Sequence, residues 1–207
     1  MSNSELAEQT AAAVDRDLAA AVQGVGRAVV RVIADGHGVG SGIVWRSDGL
    51  IVTNAHVAHH TPMRVALQDG RTLDARVVSA DEELDVAVLS IDAGELPAIV
   101  VGDARSLKAG ELVLAHGHPW GVTGAVTSGV VIGMDSDWPG MSDGAREWLV
   151  VNMRLRPGNS GGPIVDVAGR VLGISTIMAG PQVGMAVPAH VADALVADTI
   201  APSVVTI

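Results

Sequence analysis

After Gly26 the chain changes period, and that change limits what it can fold into more than any other feature. Short Val- and Ile-rich segments follow at close spacing: Val29–Ala34, Gly42–Trp45, Leu50–Asn54, Arg64–Gln68, Thr72–Ser79 and Asp85–Ile91. A second series comprises Leu112–His116, Thr123–Gly133, Trp148–Met153, Pro163–Asp166, Val171–Ile177 and Met185–Val187. Turn signals part them, among them Ser47-Asp48-Gly49, Asp69-Gly70, Ala109-Gly110 and Ala168-Gly169. About a dozen short strands with little helix between them predict an all-β sandwich or barrel, not a parallel sheet with crossover helices. Asp69-Gly70 and its flanks form the clearest hairpin signal. The stretch Ala93–Gly110 carries few strand signals and a proline, and it splits the strands into two groups of about six. Two small barrels fit this better than one large one.

Helical spacing appears at the two ends. Leu6, Thr10, Val14, Leu18, Val22 and Val25 recur at three- and four-residue steps in an Ala-rich background, with Ser2 and Glu5 matching a capping box. This stripe serves either as packing on its own domain or as a contact for an oligomer or partner. Pro188–Ile200 returns to helical spacing through Val191, Leu195 and Ile200, and Ala201–Ile207 reads as a last extended strand. Asp135–Arg146, with Trp138, reads as a polar loop. The expected division is an N-terminal helix (1–26), a first barrel (27–110), a second barrel (111–190) and a C-terminal helix and tail (191–207).

Composition removes several classes of function. With 13 basic against 23 acidic side chains and a net charge of −10, the chain lacks the basic face of a phosphate-backbone binder. Four Trp, with no Phe and no Tyr, leave few platforms for stacking bases, so no nucleic-acid partner is expected. Zero cysteines exclude disulfides, thiol catalysis and Cys-ligated zinc. No apolar run is long enough to span a bilayer, so no membrane association is expected. Met1-Ser2-Asn3-Ser4-Glu5 shows no positive flank followed by an apolar stretch, so no secretory leader and a cytoplasmic setting are expected.

The strongest chemical signal is Gly158-Asn159-Ser160-Gly161-Gly162-Pro163. A serine between glycines can expose its hydroxyl while nearby backbone N–H groups turn towards one point, as an oxyanion beside a nucleophile requires. The literal G-x-S-x-G match raises an α/β-hydrolase reading. Against it, Pro163–Asp166 and Val171–Ile177 read as strands, and too little chain follows Ser160 for the required βα units. Upstream, Thr53-Asn54-Ala55-His56 places a histidine just after an apolar strand, and Leu84-Asp85-Val86 places a carboxylate at the head of another. The order His56, Asp85, Ser160 is the chymotrypsin order. His56, His59 and His60 also suggest a metal pair, but no Glu follows the first His, and neither a metal nor another cofactor is expected.

These motifs together resemble the protease domain of the HtrA/Deg family of trypsin-like serine peptidases. The resemblance runs from Gly40 to Pro188 through GSGIV (Gly40–Val44), DGLIVTNAHV (Asp48–Val57), DGRTLDARVV (Asp69–Val78) and LDVAVL (Leu84–Leu89). It continues through HPWG and VTSGVV (His118–Val131), PGNSGGPIVD (Pro157–Asp166), VLGIST (Val171–Thr176) and GMAVP (Gly184–Pro188). It implies two six-stranded antiparallel barrels of the chymotrypsin type with short N- and C-terminal helices. It also implies serine endopeptidase activity on unfolded or extended peptide segments. Ser160 Oγ would attack, His56 would take its proton, and Asp85 would hold the imidazole. The turn Gly158, Asn159, Ser160 would form the oxyanion hole through the N–H groups of Gly158 and Ser160.

Departures from the family pattern concern substrate choice and assembly. Asn152 and Arg154 stand where an Asp and an Ala are usual, so Arg154, Leu155, Ile174, Ser175 and Thr176 are the expected pocket residues. Arg154 turned inward would select an acidic side chain, and turned outward would leave an apolar pocket. His118 stands where the family usually has Asn, on a loop near the site. Family members often carry a PDZ domain after the protease, and none is expected in the residues that follow the last helix here. The family's aromatic trimer contacts cannot form without Phe or Tyr, so the N-terminal helix is the expected homo-oligomer contact. The alternative reading is a catalytically silent or activator-dependent binding module on the same fold.

Overall fold

The computed structural model describes residues 2–34, 37–59, 62–135 and 146–200. It opens with α1 (Asn3–Gly26), whose capping box is formed: Glu5 N–H donates to Ser2 Oγ at 3.2 Å and Ser2 N–H to Glu5 Oε2 at 2.6 Å. Leu18, Val22 and Val25 pack against the body, whereas Leu6 and Val14 are each 51% exposed, so the first half of the helix stands clear.

The first barrel contains β1 (Val29–Ala34), β2 (His37–Val44), β3 (Leu50–Thr53), β4 (Met63–Ala66), β5 (Thr72–Asp81) and β6 (Val86–Ile91). It closes in the order β1-β2-β3-β6-β5-β4. A single turn of helix, α2 (Ala55–Ala58), follows β3. Then come β7 (Val100–Val101), β8 (Leu112–Gly117), β9 (Ala125–Asp135), β10 (Trp148–Asn152), β11 (Pro163–Val165), β12 (Arg170–Gly180) and β13 (Val183–Pro188). Six of these close a second barrel in the order β11-β8-β9-β10-β13-β12, sealed by the β11–β12 pair. The chain ends its described part in α3 (Ala189–Ile200). The fold is therefore two six-stranded antiparallel barrels with flanking helices, as the sequence predicts.

The strand β7 lies in the stretch read as a connector. It pairs in parallel with Arg170 and Val171, where the β12–β13 ladder has already run out at Gly173 and Pro188. Two residues are too few to leave a periodic signal. The expected polar loop and the final strand Ala201–Ile207 lie at or outside the limits of the described residues.

Branched aliphatics fill both interiors: Val30, Ile51, Val65 and Leu89 in the first barrel, Val113, Leu149, Val151 and Ile164 in the second. A third apolar layer lies between the barrels, where Val29, Ile43 and Val52 meet Val150, Ile174, Val187 and the Ala189, Ala192 and Val196 face of α3. Burial of this layer fixes the two barrels as one body. The indole N–H of Trp45 donates to Asp193 Oδ1 at 3.1 Å and ties α3 to the first barrel.

Candidate active site

Ala55, Val57 and Ala58 of α2 are buried, which turns His56 outward at the seam between the barrels. Opposite, Asp85 precedes β6 with φ of +54°, a left-handed conformation that Asp tolerates better than most residues. Asn54 Nδ2–H donates to the Asp85 carbonyl at 2.9 Å and holds this bend. The Asp85 carboxylate lies 2.9 and 3.0 Å from His56 Nδ1 and accepts the His56 backbone N–H at 3.1 Å. A carboxylate only accepts, so Nδ1 carries the ring proton and Nε2 presents a lone pair. Burial pushes the Asp85 carboxyl up, but hydrogen bonds from the His56 ring, the Thr176 hydroxyl and the His56 N–H outweigh it and hold it below the usual range.

Thr176, expected as a pocket residue, makes a second contact that sequence reasoning missed. It sits in β12 where the register against β13 slips between Ser175 and Ile177, and this bulge turns its hydroxyl onto Asp85 Oδ2. Nothing in the local sequence marks the slip. The Thr176 carbonyl in turn accepts the Ser160 hydroxyl at 3.1 Å. Among the described residues Ser160 Oγ makes no hydrogen bond to His56, so Thr176 links the serine and the carboxylate in this arrangement.

The turn before Ser160 is held from several sides. Gly158 has φ of +99°, and a Cβ there would run into the His118 carbonyl, so glycine is required. Trp120 N–H donates to the Pro157 carbonyl at 3.0 Å, and Asn159 N–H to the Arg156 carbonyl at 2.8 Å. In a trans peptide C=O and N–H point oppositely, so the Trp120 contact aims the Gly158 N–H away from Trp120. Among the described residues the N–H groups of Gly158 and Ser160 have no acceptor, which leaves both open to a developing oxyanion. The Asn159 N–H is committed to Arg156, so Asn159 contributes by closing the turn, with its side-chain Oδ1 accepting Arg156 N–H at 2.9 Å.

Beside Ser160 lies a cavity of about 390 Å³ lined by Leu155, Arg156, Pro157, Gly158, Thr176, Ile177 and Met178. Of the expected pocket residues, Leu155 and Thr176 line it and three do not. Arg154 is exposed and outside the lining, and Ile174 and Ser175 are fully buried behind it. Arg156 is the cation at the rim, with its guanidinium 5.5 Å from the centre of the exposed Trp120 ring. Of the remaining histidines, His59 Nε2 lies 3.3 Å from Glu82, and His60 falls outside the described residues.

His116 and His118 are nearly fully buried, although His118 lies on the loop after β8 that the sequence predicts. Burial lowers the His116 pKa. It lowers that of His118 to about 4, helped by the charges of His116 and Arg31. Between the ordinary value of 6.5 and about 4, the unfolded chain binds a proton at His118 that the folded chain refuses. Stability should therefore be independent of this group above about pH 6.5 and fall as pH drops through that window, by ~3 kcal/mol. Urea unfolding at about pH 7.5 and about pH 4.5 should show the fall, and His118→Asn should shrink it.

A serine hydroxyl, an imidazole with a free Nε2, a partly buried carboxylate and two open N–H groups, assembled at the seam of two closed barrels, have the arrangement of a serine peptidase site of the chymotrypsin kind. A family model described as a trypsin-like peptidase domain matches residues 40–174, and the chain belongs to that family. Within it the protease domain matches the HtrA/Deg type. It is 41% identical over 139 residues to the "Probable periplasmic serine endoprotease DegP-like" of Halomonas elongata, covering 67% of this chain and 29% of that one. Against "Protease Do-like 1, chloroplastic" of Arabidopsis thaliana it is 39% identical over 161 residues, covering 73% and 37%. The solved "HtrA-type protease AlgW with tripeptide" superposes with a TM-score of 0.81 at 32% identity, over 89% of this chain and 64% of that one. The chain thus spans about a third of the length of these curated relatives.

The cytoplasmic expectation is corrected by the same findings. It rested on the composition of the first residues alone, and the relatives are named for the periplasm and the chloroplast.

Proposed function

We propose that the chain is a serine endopeptidase that cleaves extended or unfolded peptide segments. Ser160 is the nucleophile, His56 the base, Asp85 the group that orients it, and the N–H groups of Gly158 and Ser160 the oxyanion hole. The observation that carries this reading is the Asp85–His56 pair, with its free Nε2, beside a serine whose turn leaves both N–H groups open. In the proposed division, the unit 27–110 supplies His56 and Asp85 and the unit 111–190 supplies Ser160.

The preference for extended segments follows from β12. Its ladder with β11 ends at Ile174, so Thr176–Met178 present a free edge beside Ser160, and an extended peptide can add there as a strand. The apolar walls Leu155, Ile177 and Met178 favour an aliphatic side chain before the cleaved bond. A fluorophosphonate probe tests the reading. Labelling of Ser160 that disappears in Ser160→Ala and His56→Ala, together with cleavage of casein by the unmodified chain alone, is the expected result. A chain that folds and neither labels nor cleaves sinks it.

One observation favours a second reading, an enzyme that waits for an activator. Ser160 Oγ rests on the Thr176 carbonyl rather than on His56. Rapid labelling without any added peptide excludes it.

We further propose that the free half of α1 makes a homo-oligomer contact, since Leu6 and Val14 stand exposed on a helix whose second half is packed. Light scattering that finds the same mass with and without residues 2–14 overturns this.

A further inference from the structure

Ser41, in β2 of the first barrel, touches both residues proposed as oxyanion donors. Its backbone N–H donates to the Ser160 carbonyl at 2.8 Å, and its hydroxyl donates to the Gly158 carbonyl at 2.7 Å. The same hydroxyl accepts the His118 backbone N–H at 3.0 Å and lies 3.2 Å from His118 Nδ1. Ser41 is fully buried and His118 is 4% exposed, so water does not readily substitute for these contacts.

The His118 backbone N–H is shared with the Gly158 carbonyl, which it reaches at 3.3 Å, longer than the 2.7 Å contact from Ser41. A carbonyl cannot donate, so the single hydroxyl proton is committed to Gly158. Ser41 Oγ then has only lone pairs to offer, one taken by the His118 N–H and the other facing Nδ1. For that second contact to be a hydrogen bond, Nδ1 must carry the proton. With Nδ1 bare, two lone pairs would face each other, and the hydroxyl would gain by turning its proton from Gly158 to the ring.

We infer that Ser41 and His118 are positioning residues: His118, as its Nδ1–H tautomer, aims the Ser41 hydroxyl at the Gly158 carbonyl, and this brace keeps the N–H groups of Gly158 and Ser160 converged. The inference rests on the function proposed above. Gly158 is then held at both of its peptides, on one side by Trp120 through Pro157 and on the other by Ser41, with the His118 N–H as a longer second donor. Gly117 makes room for the arrangement, since a Cβ there would lie 3.0 Å from Ser41 Oγ and 3.1 Å from Asn159 Nδ2.

The test compares His118→Asn with His118→Asp and adds Ser41→Ala. Asn Nδ2 occupies the place of His Nδ1 on Cγ and donates, whereas the nearly isosteric Asp only accepts there. With fluorescent casein as substrate, Ser41→Ala and His118→Asp should lose about 10- to 100-fold in kcat with KM within about twofold. His118→Asn should stay within about threefold of the unmodified enzyme. Equal kcat in the Asn and Asp variants, or a Ser41→Ala variant with unchanged kcat, overturns the inference. If His118→Asp does not fold, as judged by circular dichroism, Ser41→Ala decides alone. An unmodified chain that neither cleaves nor labels refutes the proposed function itself, and this brace with it, whereas an active chain indifferent to Ser41→Ala refutes the brace alone.

Discussion

Replacing Asp85 by Asn should lower kcat by about 10⁴-fold while leaving the fold in place. The backbone at Asp85 is left-handed, and Asn is among the few residues that accept this conformation as readily as Asp. Asn54 Nδ2 holds the position 85 carbonyl, which the substitution does not touch. What changes is the sign of the contacts at Oδ1, which accepts both the His56 backbone N–H and the ring Nδ1–H. The Asn oxygen can still accept the Thr176 hydroxyl, and the amide nitrogen then faces His56 Nδ1 as a donor. Nδ1 must lose its proton to accept that bond, the ring proton moves to Nε2, and the lone pair needed to receive the Ser160 proton is gone. The loss should fall on kcat, with KM changing little, because no contact to bound peptide is altered. A circular-dichroism melt close to that of the parent should accompany it. A variant that keeps more than about a tenth of its kcat would show that Asp85 does not set the tautomer.

The sequence makes the barrels legible because each strand is a self-contained signal. Val29–Ala34 is a short branched apolar run, Thr72–Ser79 has its own bounding turn at Asp69-Gly70, and Ser2 and Glu5 announce α1 within four residues. Features that need two distant segments were less visible. Gly38 and Gly40 hide the first half of β2, because glycine carries no strand preference of its own and the pairing with β1 supplies it. His56, Asp85 and Ser160 stand out in the sequence because their residue types and order are informative alone. Thr176 on Asp85 depends on a one-residue slip between β12 and β13, and Ser41 on Gly158 depends on how one barrel meets the other. The pocket shows the same limit. Alternation along Arg154-Leu155-Arg156 does not say which cation meets the cavity, and Arg156, which does so, lies by the ring of Trp120 from the turn after β8.

The inter-barrel junction should also be where a single methyl group is least tolerated, and Gly161→Ala is expected to cost ~4 kcal/mol or more. Gly161 has φ of +82°, so any side chain is strained there. A Cβ would also run into the Ser41 carbonyl and the Thr53 hydroxyl. Those two groups cannot step aside independently, because Thr53 Oγ1–H donates to the Ser41 carbonyl at 2.7 Å in a fully buried pair. Moving Ser41 would in turn break its N–H bond to the Ser160 carbonyl. Gly70→Ala separates the two contributions. Its φ of +91° imposes a comparable backbone strain, but no atom lies within 4 Å of its Cβ position. That variant should lose only ~1 kcal/mol. Thermal unfolding of the pair should therefore place Gly161→Ala about 6–12 °C below Gly70→Ala. Equal melting temperatures would mean that the barrels yield at the junction. The Ser41 contacts could not then hold the Ser160 turn rigidly, and the geometry on which the proposed chemistry depends would have to be completed by substrate.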